Sequence, residues 1–190
     1  ISNEGIVIST MTGSQIDINQ LRKMYLFYEA HCARWGAWGS KYLTQSFFES
    51  LSDSDQRDKI VLFIAHRGDP QDPIAMSLCI KDKNMLWGRY WGSNEEINYL
   101  HFEVCYYSPI AWALDNGISL FDPGAGGSHK RRRGFIAQPN TSLHRWYDKR
   151  MDHLIRPWLK TVNKMMLEEI KATNDELPFK IEKPKLSLIN

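Results

Sequence analysis

Ile60-Val61-Leu62-Phe63-Ile64-Ala65 is an unbroken apolar run, too short for a helix and rich in β-forming residues, so it reads as a strand buried on both faces. The turn signal Gly68-Asp69-Pro70 and a second apolar run, Pro73–Ile80, follow it. The polar loop Lys81-Asp82-Lys83-Asn84 then leads to an aromatic run from Met85 to Trp91. Three strands joined by connections this short must pair antiparallel in succession. The rest of the chain has to cover the two faces of that meander.

The flanking segments supply the cover. Gly5–Met11 is short and β-branched and reads as a first strand. Asp17 or Asn19 can cap a helix through about Trp35, with Leu21, Met24, Tyr25 and Tyr28 at helical spacing, and Gly36 and Gly39 break it. Thr44 caps a second helix to Leu51. A helical pattern from about Tyr99 to Asn116 ends at Gly117. Pro109 inside it must kink that helix or lie in the first turn of one that starts later. A strand at Ile118–Phe121, a loop to Gly134, another strand within Phe135–Trp146 and a long amphipathic helix over Asp148–Ala172 complete the order. The fold class is mixed α/β (α+β): a mostly antiparallel sheet flanked by helices in one domain over 1–176, followed by a tail or edge segment over 177–190.

No segment approaches the roughly 18 apolar residues that a membrane span needs. Cys32, Cys79 and Cys105 are odd in number and widely spaced, which suits a reducing compartment, the cytoplasm, and no metal site. Charge is segregated: residues 1–128 carry 10 Lys/Arg and 15 Asp/Glu, whereas residues 129–190 carry 14 and 7. The basic C-terminal third suggests an anionic ligand or partner.

Three constellations can carry chemistry. In Trp87-Gly88-Arg89-Tyr90-Trp91-Gly92, glycines at both ends of an aromatic strand allow a bulge or close approach of a ligand, and Arg89 can hold a carboxylate or phosphate. Tyr90 and Trp91 flank it. Leu100–Tyr107 concentrates titratable groups at a helix start. His101 and Cys105 lie four apart on one face and Glu103 and Tyr107 on another; His101 or Glu103 is a candidate base, Tyr106 or Tyr107 a proton donor, and Cys105 a nucleophile, a substrate contact or a small buried hydrophobe. In the third, Gly124-Ala125-Gly126-Gly127-Ser128-His129-Lys130-Arg131-Arg132-Arg133, a glycine nest at Gly124 and Gly126 precedes the cationic side chains of His129, Lys130 and Arg133. It is neither a Walker loop nor a dinucleotide fingerprint.

These three motifs, in this order, together with Lys41-Tyr42-Leu43-Thr44 upstream, resemble the signature of the FemAB-like predicted N-acyltransferases, the peptidoglycan biosynthesis/recognition proteins. The resemblance implies a GNAT-type fold and transfer of an acyl or aminoacyl group to an amine acceptor. That acceptor would be a cell-wall precursor, and the donor acetyl-CoA or aminoacyl-tRNA, with no tightly bound cofactor. It implies Glu103, His101 and Tyr107 as the acid–base group and Arg89, His129, Lys130 and Arg133 as the anion-binding group. It also implies that the chain, which begins without Met, follows a tandem GNAT-like domain. Where the family has Gly-Ala-Gln-Gly-Glu, this chain has Gly124-Ala125-Gly126-Gly127-Ser128, and the R/Q-x-x-G-x-G/A pyrophosphate loop of ordinary GNAT enzymes is absent. A non-catalytic module binding an anionic ligand, a cell-wall precursor or tRNA is the alternative.

Overall fold

The computed structural model describes residues 4–179. It parts between Ala125 and Gly126 into two compact units. The first is built on a five-stranded sheet in sequence order: β1 (Val7–Thr12), β2 (Ile60–His66), β3 (Pro73–Lys81), β4 (Met85–Ser93) and β5 (Leu120–Asp122). The first four are antiparallel neighbours, as short hairpin connections require, and β5 joins β4 in parallel.

The unbroken apolar run of β2 has a plain cause. It pairs on both edges, and every one of its residues is buried. Ile60, Leu62 and Ile64 point into a cluster with Leu21, Met24 and Tyr28 of α1 (Ile18–Ala33) and Phe48 of α2 (Gln45–Ser50). Val61, Phe63 and Ala65 point into a second cluster on the other face, with Leu100, Val104 and Ala113. Each large side chain so buried stabilises the fold by about 1.5–3 kcal/mol.

Local signals place the first helices where the sequence puts them. Asp17 caps α1, accepting from the N–H groups of Asn19 (2.7 Å) and Gln20 (3.0 Å), and Gln20 reaches back to the Asp17 N–H to close a capping box. Thr44 caps α2, and a short α3 (Ser54–Arg57) precedes β2.

The segment after β4 differs from a plain helix. It comprises α4 (Leu100–Phe102), a π-helical turn (Glu103–Tyr107) and α5 (Ser108–Asp115), with Pro109 in the first turn of α5. In an α-helix the Pro109 ring would collide with the carbonyl four residues back and leave it without a donor. Widening to five residues per hydrogen bond avoids both. On β3, the buried Ser77 Oγ donates to the Val104 carbonyl at 2.8 Å and fixes the wide turn against the sheet.

In the second unit a 3₁₀ turn (Ser128–Arg133) is followed by an extended stretch and the 27-residue α6 (Lys149–Asp175). The strand expected within Phe135–Trp146 does not form. Its backbone is held by a side chain instead: the buried Asn174 accepts from Ala137 N–H at 2.8 Å and donates to Ala137 O at 2.9 Å, replacing a ladder partner. The proposed tail from Leu177 lies, beyond Phe179, outside the described residues.

Candidate active site

Strand β4 and the π-turn build the candidate site of the first unit. Opposite Leu78 and Cys79 of β3, β4 places Tyr90 and Gly88, so Arg89 is the extra residue of a β-bulge. The guanidinium of Arg89 is exposed, and among the described residues no carboxylate pairs with it. Pairing of β4 with β5 ends at Trp87 opposite Asp122. From Gly88 onward, then, that edge of β4 has no strand partner among the described residues. Asp122 accepts from the Gly124 N–H at 2.8 Å, and Gly124 (φ +85°) turns the chain away beside Gly88.

Beyond the bulge α1 presses on β4. A Cβ at Gly92 would lie 2.1 Å from the Phe27 carbonyl oxygen, so only glycine admits this approach. The contact brings the His31 ring to 5.5 Å from Trp91, whose other neighbour is the His101 ring at 4.5 Å. Arg34 donates to the Ser93 carbonyl at 2.9 Å, tying the end of α1 to the end of β4. Burial, and then the charge of Arg34, hold the His31 imidazole below its ordinary range.

A cleft of about 340 Å³ opens here, lined by Arg34, Trp91, Glu96, Tyr99, His101 and Phe102 among others. Tyr99 enters α4 with φ +68°, a left-handed conformation costly for a side chain of its size. Glu95 is held in a two-pronged pair with Arg67, both contacts 2.8 Å, which lowers the carboxyl and raises the guanidinium. Glu96 has no ion-pair partner among the described residues.

The π-turn changes which residues meet. The expectation that His101 and Cys105 share a face assumes 3.6 residues per turn. Through the wider turn the His101 ring also meets Tyr106 edge-on at 5.4 Å, and Ser108 Oγ donates to Glu103 Oε1 at 3.1 Å. Tyr107 is half-exposed and Cys105 half-buried. Tyr90 faces the opposite side of the sheet, where its ring packs on Tyr28 at 5.2 Å and Phe48 at 5.9 Å. Cys79 is wholly buried and its thiol is pushed up to about 12, so it is no nucleophile.

The remaining sequence candidates belong to the second unit. Gly126 and Gly127 both have positive φ, and a Cβ on Gly127 would lie 2.6 Å from the His129 ring. Arg133 donates to the His129 carbonyl at 2.9 Å, and Gly134 (φ +83°) closes the turn. Burial first, then the charges of Lys130 and Arg133, lower the His129 imidazole. The basic end of the glycine loop, Ser128–Arg133, is thus a 3₁₀ turn. His31, Arg34, Glu96 and Tyr99 were not singled out from the sequence. Helix spacing alone could place His31 on α1, but no local signal marks Tyr99 as left-handed.

The fold has many solved likenesses, and three show its type. An aminoglycoside acetyltransferase from an uncultured soil metagenomic sample, solved in complex with sisomicin, aligns over 78% of this chain and 99% of its own at 9% identity, TM-score 0.50. A possible acetyltransferase from Clostridium difficile 630 aligns over 75% and 99% at 11% identity, TM-score 0.50. A probable acetyltransferase aligns over 75% and 99% at 12% identity, TM-score 0.51. At such identities these matches establish the GNAT fold alone. No curated protein sequence matches the chain. A family profile described as peptidoglycan biosynthesis/recognition matches residues 1–181, nearly the whole chain, and the chain therefore belongs to the FemAB-like family.

Proposed function

We propose that the protein transfers an acyl or aminoacyl group from an activated donor to an amine acceptor, and that the cleft between β4 and the π-turn receives the amine. The observation that carries this reading is the His101 ring tilted against Trp91, centroids 4.5 Å apart, at the wall of that cleft, just beyond the Arg89 bulge. Aromatic faces of Trp91, Tyr99 and Phe102 with the carboxylate of Glu96 suit an ammonium-bearing molecule. Sisomicin, bound by one structural neighbour, is such a molecule.

In the step itself the amine nitrogen attacks the carbonyl carbon of the donor ester or thioester. The C–N bond forms, the C–O or C–S bond breaks, and the amine proton passes to an imidazole and from it to the departing alkoxide or thiolate, which leaves as the alcohol or thiol. His101 is better placed for that proton than Glu103, because it lines the cleft while Glu103 is engaged by Ser108. Backbone groups on the open edge of β4 stabilise the oxyanion. Within the first unit Arg89 provides charge for an anionic donor, either acyl-CoA or aminoacyl-tRNA. The family description, peptidoglycan biosynthesis/recognition, supports a cell-wall precursor as the acceptor. A cytoplasmic location and a tandem N-terminal partner domain belong to the same reading. No helix among the described residues is long and apolar enough to cross a membrane.

The test is to incubate the chain with amine-bearing cell-wall precursors and either labelled acetyl-CoA or charged tRNA, following amide formation by mass spectrometry. His101→Gln should lower turnover by about 10²–10⁴ while leaving the circular dichroism unchanged. Undiminished turnover in His101→Gln refutes its role as base. Saturable binding of either donor with no amide product from any acceptor identifies a binding module instead.

A further inference from the structure

The basic C-terminal third is only partly absorbed by the glycine loop, and the rest lies on α6. Met151, Leu154, Trp158, Val162 and Met165 recur at three- and four-residue intervals and form one stripe along this helix. The stripe is open to solvent: Leu154 is 66% exposed, Trp158 61% and Met165 58%. Just ahead of the helix, Leu143 and Tyr147 are more exposed still, at 95% and 85%. Lys149, Arg156, Lys160, Lys164 and Lys171 recur at four- and seven-residue intervals on the opposite face, all exposed. Over residues 149–164 the helix carries five Lys/Arg (149, 150, 156, 160, 164) and one acidic residue, Asp152, which Arg156 engages at 2.6 Å.

We infer that α6 binds an anionic lipid surface, lying along it with the Leu154–Trp158–Met165 stripe among the acyl chains and the lysines reaching outward to the headgroups. Separation of large apolar residues from a cationic face is the pattern of helices that lie in the membrane interface rather than span it. The stems of Lys and Arg let their charges reach the headgroups while the helix sits deeper. Nucleic acid would satisfy the cations but leave the apolar stripe in water. A bilayer satisfies both. This inference does not depend on the transfer reaction.

The full chain is mixed with extruded vesicles of phosphatidylcholine alone or of equimolar phosphatidylcholine and phosphatidylglycerol, and bound protein is measured by sedimentation. The expected result is binding to the anionic vesicles, weak binding to the neutral ones, and release in molar salt. Leu154→Glu with Trp158→Glu, both at exposed positions, should lower the partition coefficient about tenfold or more. Leu26→Glu, at a position 59% exposed on α1, should leave it unchanged. Absence of binding to anionic vesicles, or an equal loss from Leu26→Glu, overturns the inference. So does a dimer that Trp158→Glu dissociates without any vesicle binding, or retention of tRNA by wild type and the double variant alike without vesicle binding.

Discussion

Gly92→Ala probes the contact that sets the candidate site. The added Cβ would lie 2.1 Å from the Phe27 carbonyl oxygen, 2.6 Å from its carbon and 2.9 Å from its Cβ, whereas ordinary contact begins at 3.4 Å. Two of the three obstructing atoms are backbone, so no rotamer change relieves the clash. Helix α1 must retreat by more than an ångström. That lifts Met24, Phe27 and Tyr28 from their cluster with Met76 and Leu78, forfeiting dispersion along the interface. The expected loss is about 3 kcal/mol or more, which for a chain of this size is roughly 6–12 °C in Tm. Urea unfolding followed by far-UV circular dichroism measures it, with Gly88→Ala as the control. There the new Cβ meets Pro123 at 3.5 Å, an ordinary contact, and stability should stay within about 1 kcal/mol of wild type. A Gly92→Ala midpoint as close to wild type as that of Gly88→Ala would refute the reasoning. A secondary consequence is that His31 leaves Trp91, so tryptophan emission should change in the folded variant.

Three further outcomes are expected. Ser77→Ala removes the donor to the buried Val104 carbonyl and should cost about 1–3 kcal/mol in urea unfolding. Asn174→Ala breaks both bonds to Ala137, and limited proteolysis should then cut within residues 135–147 much faster than in wild type. His31 is held below its ordinary value of 6.5, so the unfolded chain binds the proton first. Its contribution to stability is complete above that pH and is lost as pH falls below it toward the folded-state value. The urea midpoint should therefore drop between about pH 7.5 and 5.5, and less steeply in His31→Gln; the slope that remains includes His129, which shifts in the same direction.

What the chain determines by itself is local or periodic. The length and composition of the β2 run made it central, because only a strand with neighbours on both edges and cover on both faces can be apolar throughout. Asp17 and Thr44 marked helix starts because a cap acts within three residues of itself. The motif order was enough to reveal the family. Tertiary structure decided what depends on groups distant in sequence. The π-turn answers Pro109 but is fixed by Ser77 on another element, and through it the His101 ring meets Tyr106. Residues 135–146 have strand-like composition but acquired no strand partner, and Asn174, some 37 residues away, holds the backbone instead. Tyr90 and Trp91 are adjacent in sequence, yet the alternation of the strand sends one into the aromatic core and the other to the cleft. His31 entered the site only because Gly92 lets α1 approach β4 closely, and a contact between backbones 65 residues apart leaves no trace in either local pattern.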